Sequence, residues 1–327
     1  MAVRRRKQRR GRSYAWRYRG RIVACVFVEV LIICALVIMV GWNKGVKEWF
    51  EQFEQPVLKE VDISGINSPN AILMQARGGK VLGEINGDEK IYPASMTKIM
   101  TVILGIENFD DLDEKITLTD EMFAGLYEQD ATQAGFQPGE EVRVIDLLYG
   151  AMLPSGAECC IALADTISGS EADFAELMNK KAAKLGMDNT HFCDSTGLHN
   201  PDHYSTVKDI AVLMKYCIKN DTFREIIETA RHSTGVTNIH PDGITYYSTM
   251  FKNLSDPTVT GGKILGGKTG YTSEAGHCLV SFAEIEGREY IFVSAGASGA
   301  DGNTIPHIQD AVTVYNRVGA AIEAKMN

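Results

Sequence analysis

Ser95 and Lys98 are spaced so that a lysine amine could activate a serine hydroxyl. They follow Pro93-Ala94 and open an apolar stretch, 96–106, whose composition predicts a helix. Residues three positions apart lie on one face of a helix, so the amine can reach the hydroxyl. The positive helix end and a second cation nearby would lower the pKa of the lysine, which could then act as a neutral base. The pair therefore indicates nucleophilic catalysis.

The tetrapeptide S-x-x-K is common, and a second copy runs from Ser205 to Lys208. There, Thr206 is followed three residues later by Asp209, which is the pattern of a helix cap. An amphipathic helix over 206–219 explains this second copy without any catalysis. Only the first copy is therefore a candidate site.

A second motif lies late in the chain, where residues 262–269 match the phosphate-binding pattern G-x-x-x-x-G-K-[ST] letter for letter. That loop requires a helix that begins at its Lys-Thr pair. Residues 270–276 and then a predicted strand follow instead, so no helix dipole is available for phosphate. The shorter pattern Lys268-Thr269-Gly270, downstream of an S-x-x-K, is the signature of serine acyl-enzymes.

The segment 92–101, with the sequence YPASMTKIMT, resembles the active-site segment of the low-molecular-weight penicillin-binding proteins, the serine-type D-Ala-D-Ala carboxypeptidases (peptidase S11-like). Segments 174–179, 185–192 and 197–206 are similar to that family's central region, and 267–276 is similar to its third motif. The resemblance covers about residues 65 to 325, and the shared order makes it more specific than any single motif.

The predicted elements indicate an α+β protein, because strands at both ends of the domain enclose a run of helices. The resemblance implies the penicillin-recognising fold, an antiparallel sheet flanked by helices with a helical subdomain. The predicted hairpins and helices cover 71–85, 96–106, 144–164 (broken at 154–156), 172–185, 206–219, 277–296 and 305–324.

By resemblance, three residues carry the catalytic roles. Ser95 is the nucleophile, Lys98 takes its proton, and Ser155 relays a proton to the leaving amine. The alternative interpretation of Ser155 is a helix-breaking residue that follows Pro154.

The resemblance assigns substrate binding to the third motif. Lys268 adds positive charge, Thr269 helps to hold the terminal carboxylate of the substrate, and Gly270 completes the motif. The backbone N–H groups of Ser95 and Tyr271 would form an oxyanion hole. Such fixed donors stabilise charge that develops only in the transition state.

Ala157 departs from the family pattern, because the second motif usually reads Ser-x-Asn. Alanine cannot donate a hydrogen bond to a substrate carbonyl. Losing such a contact costs about 10²–10³ in rate where it acts on the transition state. Three alternatives stay open: Glu158 or a backbone group substitutes, the enzyme is slower, or its substrate choice has shifted.

Other sites are less well supported by the sequence. Glu176 lacks the spacing of a class A β-lactamase deacylation residue, and we expect it to be a solvated helix residue.

The histidines do not indicate a metal site. His199 and His203 are separated by Pro201, which breaks a helical pairing, so we expect no metal. We interpret these two histidines, with His191, as loop residues. No cofactor is expected.

The N-terminus predicts a membrane anchor. Ten basic residues precede an apolar run, 22–40, whose length of about 28 Å matches the bilayer hydrocarbon. The other 306 residues carry 23 basic and 42 acidic groups, a net charge of −19. A cleaved signal peptide is the alternative, but the run is long and no small-x-small site follows. A nucleic-acid-binding tail would not explain the apolar run. The basic residues are Arg4, Arg5, Arg6, Lys7, Arg9, Arg10, Arg12, Arg17, Arg19 and Arg21.

The expected domain order is a cytoplasmic tail (1–21), a transmembrane anchor (22–42), a stalk (43–61) and a catalytic domain (62–327). The positive-inside rule places the catalytic domain outside a bacterial cell membrane, on a single-pass anchor. The cysteines suggest no disulfide framework, and we interpret those after the anchor as small buried apolar residues.

The resemblance implies a carboxypeptidase that removes the terminal D-Ala of a peptidoglycan stem peptide and is inhibited by β-lactams. The alternative, motivated by Ala157, is a catalytically weak protein that senses β-lactams or binds wall peptides. Transpeptidase, endopeptidase and β-lactamase activities also stay open.

Overall fold

A six-stranded antiparallel sheet organises the part of the chain that the computed structural model describes, residues 58–299 and 305–326. Its strand order is β2-β1-β10-β9-β8-β7, so the first and last strands of the domain meet at its centre. The strands are β1 (Asn70–Gln75), β2 (Val81–Ile85), β3 (Lys115–Thr117), β4 (Glu141–Arg143), β5 (Arg231–Ser233), β6 (Thr245–Tyr247), β7 (Thr258–Val259), β8 (Gly262–Thr272), β9 (Gly276–Ile285) and β10 (Arg288–Ala297). Two short ribbons, β3-β4 and β5-β6, lie outside the sheet.

Both faces of the sheet are buried. Along β1, Ile72 and Met74 belong to one hydrophobic core, whereas Ala71 and Leu73 belong to a second core on the opposite face. Alternate side chains of a strand point to opposite faces, so a strand that is apolar throughout requires a covering layer on each side.

Helices supply those two layers. The helices are α1 (Lys98–Asn108), α2 (Val144–Met152), α3 (Ala157–Ser168), α4 (Glu171–Leu185), α5 (Val207–Cys217), α6 (Asp221–Glu228), α7 (Thr249–Asn253) and α8 (Pro306–Met326), with 3₁₀ turns at Ala94–Thr97 and Asp120–Phe123. The long helix α8 packs on β9 and β10, and helices α1 to α6 contribute to the core on the other face. The α+β prediction is confirmed.

The predicted hairpins and long helices are present, with ends shifted by a few residues. Thr206 caps α5 as predicted, because its hydroxyl accepts a hydrogen bond from the backbone N–H of Asp209 (3.0 Å). The phosphate-loop interpretation is excluded, since 262–269 lies wholly within β8 and no helix follows it. The helices α6 and α7, the strand β7 and the two ribbons were not predicted, because they are short elements without long periodic patterns.

Leu58 and Val61, at the end of the predicted stalk, are buried in the core beneath α8. The predicted basic tail and membrane anchor lie outside the described residues. Within residues 58–299 and 305–326, none of the helices has the length and hydropathy that crossing a bilayer requires.

Candidate active site

The serine of the first motif lies in a tight turn against the sheet. Ser95 is half-buried in the 3₁₀ turn Ala94–Thr97, which runs directly into α1. Ala94 has a φ of 45°, a left-handed conformation that costs a non-glycine residue about 1–3 kcal/mol. The amide of Met96 closes the turn on the carbonyl of Pro93 (3.0 Å). The backbone is therefore held in a strained shape next to the candidate nucleophile.

Four side chains from separate segments join in one hydrogen-bonded relay. Lys98 Nζ donates to Ser95 Oγ (2.9 Å), and Ser155 Oγ donates to the same oxygen (3.0 Å). Lys268 Nζ donates to Ser155 Oγ (3.0 Å). The structure thus brings together the three predicted catalytic side chains, Ser95, Lys98 and Ser155, and adds Lys268, which was predicted to bind substrate.

Lys98 is the buried base candidate, with only 3% of its surface exposed. Its amine also donates to the carbonyl of Thr196 (2.7 Å). Within the described part of the chain it forms no ion pair, and burial lowers its pKa because the charged form loses solvation. A lowered pKa favours the neutral amine that can accept a proton from Ser95.

Lys268 is buried even more completely, at 1% exposure. Burial, and then the neighbouring charge of Lys98, hold its pKa well below the usual range. The sequence predicts a positive charge on the amine of Lys268, whereas burial and the neighbouring Lys98 disfavour the protonated form of this amine. An anionic substrate group would restore it, because an opposite charge at close range favours the protonated amine.

Strand β8 carries the third motif past the nucleophile. A Cβ at Gly270 would lie 3.0 Å from the backbone nitrogen of Ser95, so the absence of a side chain permits this close approach. Thr269 Oγ1 is hydrogen-bonded to Thr249 Oγ1 (2.7 Å). The ring of Tyr271 is 62% exposed and lies against His277, with ring centroids 4.6 Å apart. The motif therefore borders an open surface next to Ser95.

Ser155 lies in the break between α2 and α3, with a left-handed φ of 73°, and is 6% exposed. The break and the relay thus involve the same residue, and its hydroxyl contacts both Ser95 and Lys268. Ala157 begins α3, is buried, and donates its backbone N–H to the carbonyl of Thr132 (2.8 Å).

Glu158 does not take the place of the missing asparagine. Its Oε1 accepts the backbone N–H groups of Ala134 (2.6 Å) and Gly135 (2.9 Å), and burial raises its pKa. The carboxylate therefore fastens the loop 132–135 to the start of α3 instead of facing a substrate.

The remaining candidates are separated from this site. Glu176 is exposed on α4 and pairs with Lys180, as expected of a solvated helix residue. Lys208, from the second S-x-x-K, pairs with Asp88 at the surface. In the residues that the structure describes, no group of histidine, cysteine or acidic side chains could hold a metal ion.

One expectation needs correction, because Cys193 is only half-buried, whereas Cys159, Cys160, Cys217 and Cys278 are buried free thiols, as expected. His203 lies in a loop, as expected, but it is 2% exposed and contacts Thr97 next to Lys98. This contact was not predicted, because Thr97 is 106 positions away and no spacing rule reports it.

Comparisons with known proteins agree on one family. The profile of the peptidase S11 family, described as D-alanyl-D-alanine carboxypeptidase, matches residues 57–299. D-alanyl-D-alanine carboxypeptidase DacF of Bacillus subtilis is 36% identical over 231 residues, covering 70% of this chain and 57% of the relative. DacC of Escherichia coli is 35% identical over 262 residues, covering 72% and 58%. The chain thus spans less than two thirds of the length of these relatives.

Solved structures show the same fold. The crystal structure of the Streptomyces K15 DD-transpeptidase aligns with a TM-score of 0.70 at 29% identity, covering 80% of this chain and all of that chain. A D-alanyl-D-alanine carboxypeptidase from Mycobacterium tuberculosis H37Rv aligns with a TM-score of 0.70 at 22% identity, covering 82% and 96%.

Proposed function

The chain belongs to the D-alanyl-D-alanine carboxypeptidase family, and from that premise we propose that it removes the terminal D-Ala from peptidoglycan stem peptides through an acyl-enzyme on Ser95. The observation that carries this proposal is the continuous relay Lys98–Ser95–Ser155–Lys268, in which a buried amine contacts the candidate nucleophile.

We assign each step of acylation to one of the residues of this site. Ser95 Oγ attacks the carbonyl carbon of the penultimate D-Ala while its proton passes to neutral Lys98. The N–H groups of Ser95 and Tyr271 stabilise the oxyanion. The tetrahedral adduct collapses to an ester as the C–N bond breaks, and a proton moves from Lys98 through Ser155 to the leaving amine. Water then hydrolyses the ester and restores the serine.

Lys268 and Thr269 would bind the terminal carboxylate of the substrate. The buried amine gains an opposite charge when this carboxylate arrives, which offsets the desolvation that lowers its pKa in the free site. A peptide that ends in a free carboxylate therefore suits this site better than an internal peptide bond.

β-Lactams would acylate the same serine, and rapid release of the product is not expected. Glu176, the residue considered for a β-lactamase role, lies exposed and paired with Lys180. Among residues 58–299 and 305–326, no carboxylate is hydrogen-bonded to the four side chains of the relay. The β-lactam therefore acts as a covalent inhibitor in this proposal.

The chain would be held at the outer face of a bacterial cell membrane by the anchor at 22–42, with the tail 1–21 in the cytoplasm. The basic block and the length of the apolar run support this orientation. Because Leu58 and Val61 pack in the core of the catalytic domain, only 43–57 remains as the connecting stalk. Stem peptides are the expected partner, and nucleic acid is not.

The test is release of the C-terminal alanine by the full chain from an N-acylated peptide that ends in D-Ala-D-Ala, measured by mass spectrometry as loss of one alanine from the peptide. A peptide that ends in D-Ala-L-Ala is the matched control substrate, from which the same cleavage would release L-Ala. We expect release of the terminal alanine only from the first peptide and none by Ser95→Ala. The proposal fails if the wild type releases no D-Ala, a result that would favour the sensor, or if Ser95→Ala retains turnover.

A further inference from the structure

A buried polar network lies behind Lys98, on the side away from Ser95. Its contact with the base is the carbonyl of Thr196, which accepts a hydrogen bond from Lys98 Nζ at 2.7 Å. Among the described residues, the amine of Lys98 donates hydrogen bonds to two acceptors, the Thr196 carbonyl and Ser95 Oγ. The direction in which the amine points therefore depends on where the turn 194–197 holds this carbonyl.

Asp194 fixes the shape of that turn. Its Oδ1 accepts the backbone N–H of Thr196 (2.8 Å), the hydroxyl of Thr196 (2.7 Å) and the backbone N–H of Gly197 (2.7 Å). Burial acts to raise the pKa of this carboxyl, but hydrogen bonds from His203 and Thr196 outweigh it and lower the pKa to about 2. Asp194 is therefore ionised at neutral pH and holds all three donors.

His203 links this carboxylate to the residue that precedes the base. Its Nδ1 lies 3.1 Å from Asp194 Oδ2, and its Nε2 lies 2.9 Å from Thr97 Oγ1. Because a carboxylate only accepts, the hydrogen bond to Asp194 requires a hydrogen on Nδ1, and in that tautomer Nε2 accepts from the threonine hydroxyl. The backbone N–H of Cys193 lies at the longer distance of 3.2 Å from Nδ1 and would donate to it only in the other tautomer.

The turn also packs directly against the turn of the nucleophile. Gly197 has a φ of 81°, and a Cβ there would lie 1.9 Å from the carbonyl oxygen of Ala94. One structural unit thus contacts Lys98 through Thr196, Thr97 through His203, and the backbone beside Ser95.

We infer that Asp194 and His203 are positioning residues for Lys98, because they hold the Thr196 carbonyl and Thr97 so that the amine stays directed at Ser95. This inference rests on the proposed role of Lys98 as base. It separates positioning from substrate binding, since the hydrogen bonds of these two side chains within the described residues join them to 97 and 193–197 and to each other, not to the strand that carries Lys268 and Thr269. Misplacing a catalytic group by about 1 Å can cost about 10² in rate.

The test compares Asp194→Ala, which removes the acceptor of all three donors, with the wild type in three measurements: kcat and KM for D-Ala release, the acylation rate with a fluorescent penicillin, and the melting temperature. We expect kcat and the acylation rate to fall by about 10- to 100-fold, with KM within threefold. Glu171→Ala is the matched control, because Glu171 accepts hydrogen bonds from Ser195 in the same turn but forms none with Thr196.

A second pair of variants covers the case in which Asp194→Ala does not fold. His203→Gln keeps a donor and an acceptor, whereas His203→Ala keeps neither, so glutamine should retain clearly more kcat than alanine. The inference is overturned if folded Asp194→Ala acylates at the wild-type rate, if Glu171→Ala loses as much kcat, or if both His203 variants lose kcat equally. A wild type without turnover or labelling would instead overturn the proposed function.

Discussion

The two sides of the candidate nucleophile differ in how completely their polar groups are paired. On the base side, which consists of Thr97, Asp194, Thr196 and His203, each side chain takes part in at least one hydrogen bond. These hydrogen bonds hold the groups around Lys98, the residue proposed to accept the proton of Ser95. Fully satisfied polar networks hold their members in one geometry.

The alanine side, which consists of Ser155, Ala157, Glu158 and the loop 132–135, is incomplete. Position 157 has no side-chain donor, and Oε2 of Glu158 is buried without a hydrogen-bond partner among residues 58–299 and 305–326. From this difference we expect that activation of the serine is preserved, whereas the hold on the substrate carbonyl is weaker than with an asparagine at position 157. The variants below test that contrast.

Removing the base should have the largest effect. Lys98→Met eliminates the amine that accepts the proton of Ser95, and general-base catalysis is worth about 10²–10⁴ in rate. We expect the acylation rate with a fluorescent penicillin to fall by that factor. Lys208→Met, from the second S-x-x-K, is the control and should be unaffected. Acylation of Lys98→Met at the wild-type rate would break the assignment of the base side.

The pH dependence of acylation should follow the neutral fraction of Lys98. Because burial lowers the pKa of this amine, the neutral form accumulates at a lower pH than for an ordinary lysine. The rate should therefore fall about tenfold per pH unit below that pKa and be level above it. A profile that rises only near pH 10.4, the value for a free lysine, would contradict a buried base.

Supplying the missing amide should strengthen the alanine side. We expect Ala157→Asn to raise kcat/KM for the peptide by about tenfold, a fraction of the 10²–10³ that such a donor can contribute. Ala157→Leu has a similar size without the amide and should give no gain. If Ala157→Asn is folded and its kcat/KM is unchanged, then a backbone group already fills this role.

The smallest effect is expected from the carboxylate behind the alanine side. Glu158→Ala removes the acceptor for the N–H groups of Ala134 and Gly135. It should lower the free energy of unfolding by about 2 kcal/mol, measured in urea. Glu158→Gln keeps an acceptor oxygen and should stay within about 1 kcal/mol of the wild type. Equal losses in both variants would show that the charge, not the acceptor, holds the loop.

Local features of this molecule could be predicted from its sequence, and distant pairings could not. The contact between Lys98 and Ser95 follows from a spacing of three residues, and the cap at Thr206 follows from the same rule. The contact between His203 and Thr97 joins residues 106 positions apart. Spacing cannot predict such a contact, because it depends on how the turn 194–197 packs against Ala94.

The role of Glu158 also could not be predicted from its neighbours in sequence. Its position next to Ala157 suggested a replacement for the missing amide, but the direction of its side chain is set by α3, which points it toward the loop 132–135. The phosphate-loop interpretation of 262–269 could be rejected for a local reason, because no helix-forming sequence follows Lys268-Thr269.

The identity of the acylated residue tests the account most directly. The full chain would be incubated with benzylpenicillin, its intact mass measured, and the modified peptide sequenced by mass spectrometry. We expect one adduct, on Ser95, and none in Ser95→Ala. An adduct on Ser155 or Ser205, or a wild type that carries no adduct under conditions in which it is folded, would contradict the proposed role of Ser95.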